Sequence, residues 1–295
     1  MGAKVTLACR SADKGKQAVD DIKTEALEKP VQEGVALLEG LTDVDVQVEV
    51  LDLGSLQSVV SFAQRFKTSG AKVDVLINNA GIMAIPERRE TAEGFELQTG
   101  VNHFGGHLLT RLMEPLIVDG GRVVFLSSIA HNQGPGLPKT TLDWDNINFD
   151  KPKTYHNWMA YGRSKLANVL DAKEFAKRLA AREIHTYAVH PGIVNTELFR
   201  NFLADSTLIS RLTRRSAPIL KHVLLSPLTG ALTQWRCAVD PALGAKELSG
   251  KYWANMKETQ PSERASDPAN PPRFWDYTES VLEAKLGKKV DDVLS

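Results

Sequence analysis

Apolar residues in this chain alternate between short runs and longer stretches with a period near 3.6, and the alternation holds through most of its length. Residues 3–9 form a short apolar run that ends at Arg10 and Ser11, and a helical pattern follows over 12–27. Lys29, Pro30 and a glycine-containing stretch up to Asp45 read as a surface insertion. Residues 46–51 alternate and run into Asp52 and Leu53, a second strand ending in an acidic residue. Over 55–68, Ser55 suits an N-cap while Leu56, Val59, Val60, Ala63 and Phe66 share one helix face. Residues 73–77 are predominantly apolar, as expected of a strand covered by helices on both sides of a parallel sheet. The pattern then predicts a helix over 93–116, a strand over 122–126, a long loop, a helix over 159–181 and a strand over 184–189.

Strand and helix in turn predict an α/β fold with a doubly wound parallel sheet and helices on both faces. Right-handed crossovers place the carboxyl ends of the strands on one edge, where ligands bind. Asp52, Asn78, Ser127 and His190 follow strands and gather there. With no repeat or composition break, 1–295 reads as one domain. A linker-like piece over 261–272 precedes a terminal amphipathic helix over 272–286, which Gly287 would cap, in a C-terminal tail from about 256.

Composition narrows the function classes. Lys plus Arg equals Asp plus Glu at 36 each, so no net field recruits nucleic acid or an anionic membrane, and no basic cluster interleaves with aromatics. Cys9 and Cys237 lack metal-ligand spacing and the seven histidines are scattered, so neither a metal site nor a disulfide framework is expected. No run reaches the ~18 apolar residues of a membrane span, and a reducing, cytoplasmic setting is the default.

The candidate chemistry centres on Tyr161 and Lys165, which share a helix face four residues apart. A phenol titrates near ~10, so it exchanges protons poorly at neutral pH unless a cation stabilises the phenolate. Asn78, Asn79, Ala80 and Gly81 follow a strand, where small residues let a ligand approach the backbone; Asn102 lies within a predicted helix. Ser127 and Ser128 end the strand over 122–126, and Pro191 and Gly192 follow the strand over 184–189. Singly, each reads as readily as a cap, a turn or a solvent-facing polar residue.

Jointly, in this order on this scaffold, these motifs resemble the short-chain dehydrogenase/reductase family. The stretches around Ala8-Cys9-Arg10-Ser11, Val101-Asn102-His103, Ser128-Ile129-Ala130-His131, Ser164-Lys165-Leu166-Ala167-Asn168 and His190-Pro191-Gly192 look most like its retinol dehydrogenase and WW-domain oxidoreductase branch. The resemblance implies a Rossmann-type fold and hydride transfer between a nicotinamide cofactor and a carbonyl or alcohol. Tyr161 would be the general acid or base, Lys165 its tuner and a ligand of the nicotinamide ribose, Ser128 the holder of the substrate oxygen, and Asn102 the anchor of a water. Asp52 and Leu53 would lie at the adenine, Asn79, Ala80 and Gly81 along the ribose and diphosphate, and Pro191, Ile193 and Thr196 at the nicotinamide. Arg10 favours a 2′-phosphate and hence NADP over NAD. Family members commonly pair through the helices around Asn102 and Tyr161, which leaves a homodimer open.

The chain departs from that family chiefly at one place and, to a smaller extent, at Gly105-Gly106. The first strand, the helix after it and the glycine-rich turn TGxxxGxG between them, which receives the cofactor's diphosphate, have no counterpart. Gly105-Gly106 lies in a helix pattern and Gly134-Pro135-Gly136 in a loop, so neither substitutes. The missing strand would be the innermost of the sheet, and its loss is expected to halve the sheet or unfold the domain. An upstream extension is favoured; a short form with weak or no cofactor binding and a binding or regulatory role is the alternative. The doubled glycine puts the packing beside Asn102 in question. Apolar residues interleaved with arginines over about 197–226 resemble the family's substrate lid and suggest a lipophilic alcohol, aldehyde or ketone, with core packing or a peripheral membrane face as rivals. Trp144 and Trp158 could wall the same pocket.

Overall fold

A computed structural model describes residues 2–28, 44–132, 140–196 and 224–294. Strands β1 (Val5–Cys9) and β2 (Val46–Val50) alternate with helices α1 (Ala12–Glu28) and α2 (Leu56–Thr68), and β3 (Val73–Asn78) follows. A turn of helix at Leu97–Thr99 and a π-helical turn at Gly100–Phe104 lead into α3 (Gly105–Met113), then β4 (Ile117–Leu126), α4 (Asn157–Arg178) and β5 (His185–His190). The chain ends with α5 (Pro227–Val239), β6 (Lys251–Ala254), β7 (Lys257–Glu258), the short α6 (Glu263–Ser266) and α7 (Asn270–Leu286).

Strands β3-β4-β5-β6-β7 form one sheet, parallel except for β7, and β1-β2 form a separate parallel pair. The sheet is thus divided, as expected, between the strands that would flank the missing one. Within β4 the side chains alternate: Val123 and Phe125 pack under α4 and α7, while Val124 and Leu126 face Cys237 and Ala238 of α5. Helices therefore cover both faces of the five-stranded sheet. Leu56, Val59, Phe62 and Ala63 of α2 meet Leu108, Leu109 and Leu112 of α3 and Leu282 of α7 in a third apolar cluster. Burying each such side chain contributes roughly 1.5–3 kcal/mol.

Three expectations need correction. The helix predicted from Glu93 starts at Leu97, because the Glu96 carboxylate caps it by accepting from the N–H groups of Gln98 and Thr99 at 2.9 and 2.8 Å. The piece over 261–272 is not a linker: it contains α6, with Ser262 and Ala265 buried. Trp144 packs against Phe274 and under the Arg273 guanidinium on the α7 side, away from Tyr161. Ser55 caps α2 and Gly287 ends α7 at φ +70°, both as expected. All but the last three residues of the lid region lie outside the described residues.

Candidate functional site

The site is assembled where α4 crosses the carboxyl end of β4. Lys165 Nζ and Asn168 Nδ2 both donate to the Leu126 carbonyl, at 2.9 and 2.8 Å, and Ser127 Oγ donates back to the Lys165 carbonyl at 2.7 Å. These bonds fix α4 lengthwise against the strand end, with Tyr161 one turn before Lys165. Asn102 is held from two sides. Its Nδ2 donates to the Ile82 carbonyl and to Ser164 Oγ, both at 2.9 Å, and its Oδ1 accepts from Ile82 N–H at 2.8 Å. Both Nδ2 protons are thus used by protein, while Oδ1 keeps a second lone pair. The π-turn carries the side chain there, shifting the Gly105 N–H onto the Gly100 carbonyl and widening the helix at Asn102.

Gly81 completes this floor: a Cβ there would lie 3.2 Å from both Asn102 Oδ1 and Lys165 Nζ. Asn79 and Ala80 stand exposed beside it. Tyr161 is buried, with Trp158 edge-on at 6.0 Å between ring centroids. Burial pushes the phenol up to about 12, and a hydrogen bond from the Ser128 hydroxyl pulls the other way. Burial pushes the Lys165 ammonium down to about 8. Lys165 Nζ is engaged by Leu126 and lies 5.8 Å from the Tyr161 ring centroid, and burial holds the phenol protonated here, the form that donates.

The remaining predicted residues spread along the same edge. Arg10 is exposed at the end of β1; the Asp52 carboxylate accepts from Gly54 N–H at 2.9 Å beside Leu53. Pro191 and Ile193 flank Gly192, whose φ of +89° lets the chain turn under Leu225. Ile193 is 54% exposed, and Thr196 follows a bridge between Val194 and Leu225. His190 is half-buried and pushed down to about 4 by the burial it has, a neutral ring behind the Pro191 turn.

A family model described as enoyl-(acyl carrier protein) reductase matches residues 1–140. Human retinol dehydrogenase 12 is 38% identical over 283 residues, covering 95% of this chain and 79% of that protein. The chain belongs to the short-chain dehydrogenase/reductase family. It is an oxidoreductase of the retinol dehydrogenase-like branch, a group acting on CH–OH. An uncharacterized protein from Mycobacterium paratuberculosis shares the fold at a TM-score of 0.63 and 29% identity, over 96% of this chain and 85% of that one. Landomycin C-6 ketoreductase, solved with NADP and rabelomycin, has a TM-score of 0.52 at 20% identity over 85% of this chain and 82% of that one, a likeness of fold alone.

Beside these expected residues, this short-chain dehydrogenase/reductase carries a buried polar cluster that spacing did not reveal. His107 Nδ1 meets Asp171 Oδ1 at 3.0 Å and His107 Nε2 meets Glu279 Oε1 at 2.9 Å, joining α3, α4 and α7. His103, next to Asn102, has Nε2 at 2.9 Å from Thr278 Oγ1 and Nδ1 at 3.1 Å from Asp171 Oδ2, the latter without hydrogen-bond geometry. Burial alone would keep His107 neutral, but the Asp171 and Glu279 carboxylates outweigh it and raise the ring to about 9. His103 is lowered by burial and stays neutral, and Asp171 is held well below the usual carboxylate range because the two imidazoles outweigh its own burial. The two histidines sit one helical turn apart, a signal the sequence carried, but Asp171 lies 64 residues from His107.

Proposed function

We propose that this protein is an NADP-dependent oxidoreductase that interconverts a lipophilic alcohol and its aldehyde or ketone. The observation that carries the reading is the convergence of Tyr161, Lys165, Ser128 and the Asn102–Gly81 floor on one sheet edge, with the phenol kept protonated. The nicotinamide cofactor supplies the hydride when bound. In reduction, the Ser128 hydroxyl donates to the substrate carbonyl oxygen and holds it near the phenol, and Tyr161 delivers its proton to that oxygen. Lys165, once its Nζ turns toward the phenol and the ribose, stabilises the phenolate left behind. Gly81, Asn79 and Ala80 suit close approach of the cofactor, and Pro191, Ile193 and Thr196 flank its nicotinamide end.

Arg10, exposed past β1 with no acidic residue beside it in sequence, supports a 2′-phosphate and therefore NADP. The lipophilic substrate class rests on likeness to retinol dehydrogenases and on the apolar lid sequence. The fit is incomplete at the diphosphate. The first turn of α2 is closed by Ser55 and by the Glu93 carboxylate, which accepts from Leu56 N–H at 2.7 Å and would repel phosphate. This observation favours, as a second reading, a chain with weak cofactor binding and a binding role. NADPH oxidation against a panel of apolar aldehydes and ketones decides between them. Tyr161→Phe should lower kcat by at least ~100-fold, the usual weight of a general acid; an unchanged rate refutes the assignment.

A further inference from the structure

The turn that carries Ser128 has little apolar anchoring of its own. It is a 3-10 turn over Ile129–His131 in which Ile129 is 46% exposed. His131, by contrast, is buried, and its ring makes two bonds of opposite sense. Nδ1 lies 2.6 Å from the Ser128 carbonyl, which can only accept, so Nδ1 carries the proton. Nε2 lies 2.9 Å from the Ser262 backbone N–H, which can only donate, so Nε2 offers its lone pair. Two independent partners thus dictate one neutral tautomer. Through it, the loop after β4 is fastened to the segment that opens α6, where Ser262 is buried and caps the helix.

The consequence reaches the Ser128 hydroxyl. Its Oγ accepts from Ala130 N–H at 3.2 Å, an arrangement that exists only while the turn is closed. With that lone pair occupied, the hydroxyl hydrogen is free to point at Tyr161 or at a substrate oxygen. The Ser128 carbonyl also receives the His131 backbone N–H at 3.0 Å, and Thr140 Oγ1 donates to the Ala130 carbonyl at 2.9 Å; the ring bond is the one that links the turn to the tail.

We propose that His131 is a positioning residue for the reaction: it holds Ser128 as a hydrogen-bond donor by clamping the Ser128 turn to Ser262. This rests on the oxidoreductase reading above. The titratable groups that face the ring are Tyr252 of β6, with ring centroids 4.7 Å apart, and His190 at the end of β5; both are uncharged at neutral pH. Burial lowers His131 itself, which keeps the clamp neutral at physiological pH. Protonation in acid places a second N–H against the Ser262 N–H and opens the clamp.

The test compares wild type with H131N, H131Q and H131F in NADPH-dependent reduction of an apolar aldehyde. An Asn amide reaches the Nδ1 position and keeps the bond to the Ser128 carbonyl, whereas a Gln amide reaches the Nε2 position and keeps the bond from Ser262. H131F should lower kcat by about 10- to 100-fold with little change in KM for NADPH, the scale on which small misplacement of a reacting group acts. H131N and H131Q each keep only one of the two bonds, so neither rebuilds the clamp; both should fall below wild-type kcat and melt below wild type. The acid limb of the wild-type kcat profile should be absent in H131F. A wild-type kcat in H131N or in H131F, with only a lowered melting temperature, overturns the proposal alone. No turnover in wild type overturns the oxidoreductase reading and this inference together.

Discussion

Replacing Asp171 by Asn should be among the most destabilising single changes open to this protein. The carboxylate is 2% exposed and is shared by His107 at 3.0 Å and His103 at 3.1 Å, so its loss leaves an imidazolium buried among Phe175 and Trp275 with only Glu279 as counterion. Breaking a buried pair from one side costs about 3–5 kcal/mol. The electrostatics give the same scale: raising His107 from 6.5 to about 9 corresponds to roughly 3 kcal/mol. For a domain of this size the melting temperature should fall by about 6–10 °C. The double variant H107F/D171L keeps a ring between Phe175 and Trp275 and removes both charges. It should recover to within about 2 kcal/mol of wild type, because apolar replacement of a buried pair is often close to neutral.

The pair also has a pH signature. A raised histidine stabilises fully below its unfolded value near ~6.5 and loses that contribution as pH rises through about 9; the depressed Asp171 contributes above ~3.9 and loses it as pH falls. Urea unfolding of wild type and of H107F/D171L across this range isolates the effect, since the other titrating groups are common to both. The wild-type advantage should be full between about 4 and 6.5 and should shrink toward pH 9. An advantage that stays flat from neutral to pH 9.5, or D171N as stable as wild type, would refute the ion-pair account.

Two further outcomes are expected. A Cβ on Gly105 would lie 2.3 Å from the Leu53 carbonyl oxygen, whereas one on Gly106 meets only Asn78 Oδ1 at 3.5 Å. Gly105→Ala should therefore cost about 1–3 kcal/mol, while Gly106→Ala should be neutral or stabilise by up to ~1 kcal/mol; thermal melts that rank the two alike would contradict the close approach of α3 to the loop after β2. Arg10→Glu should lower the ratio of NADPH to NADH kcat/KM by roughly tenfold or more if the guanidinium meets a 2′-phosphate, and an unchanged ratio removes Arg10 from the cofactor site.

Element positions were legible because burial imposes a period on the sequence: β1 to β5 and the main helices fall close to where the apolar pattern put them. Tyr161, Lys165, Asn102 and Ser128 were singled out for another reason, since their order on an alternating scaffold is a joint signal that no single residue carries. The doubled glycine is now explained in part, with Gly105 required by the Leu53 carbonyl and Gly106 free of such a constraint. What stayed hidden depends on pairing across distance. Asp171 gave no local signal of its pairing with His107, and His131 looked like part of a motif until its ring met Ser262. Nothing in a local window states which remote backbone group an imidazole will find. The phenol's upward shift was hidden too, because spacing puts Lys165 beside Tyr161 but does not say how deeply the phenol is buried.

The division of the sheet has a consequence for how the molecule breathes. Among the described residues β1 pairs only with β2 and β3 only with β4, and Val5 and Ile77 are 40% and 42% exposed on them. The β1-α1-β2 unit contributes little to the interior: within it Val46 is buried, and Gly15 of α1 sits tight on Val48 and Cys9. Cooperativity is carried by shared burial, so this unit opens at lower free energy than the five-stranded sheet, whose β4 and β5 are covered on both faces. Arg10 rides on the loosely coupled unit, while Asp52, whose N–H donates to Ser58 Oγ of α2, and Ser128, Tyr161 and Lys165 ride on the tightly packed remainder. Arg10, proposed for the cofactor, and Tyr161, proposed for proton transfer, therefore stand on parts of unequal rigidity that no strand pairing joins among the described residues.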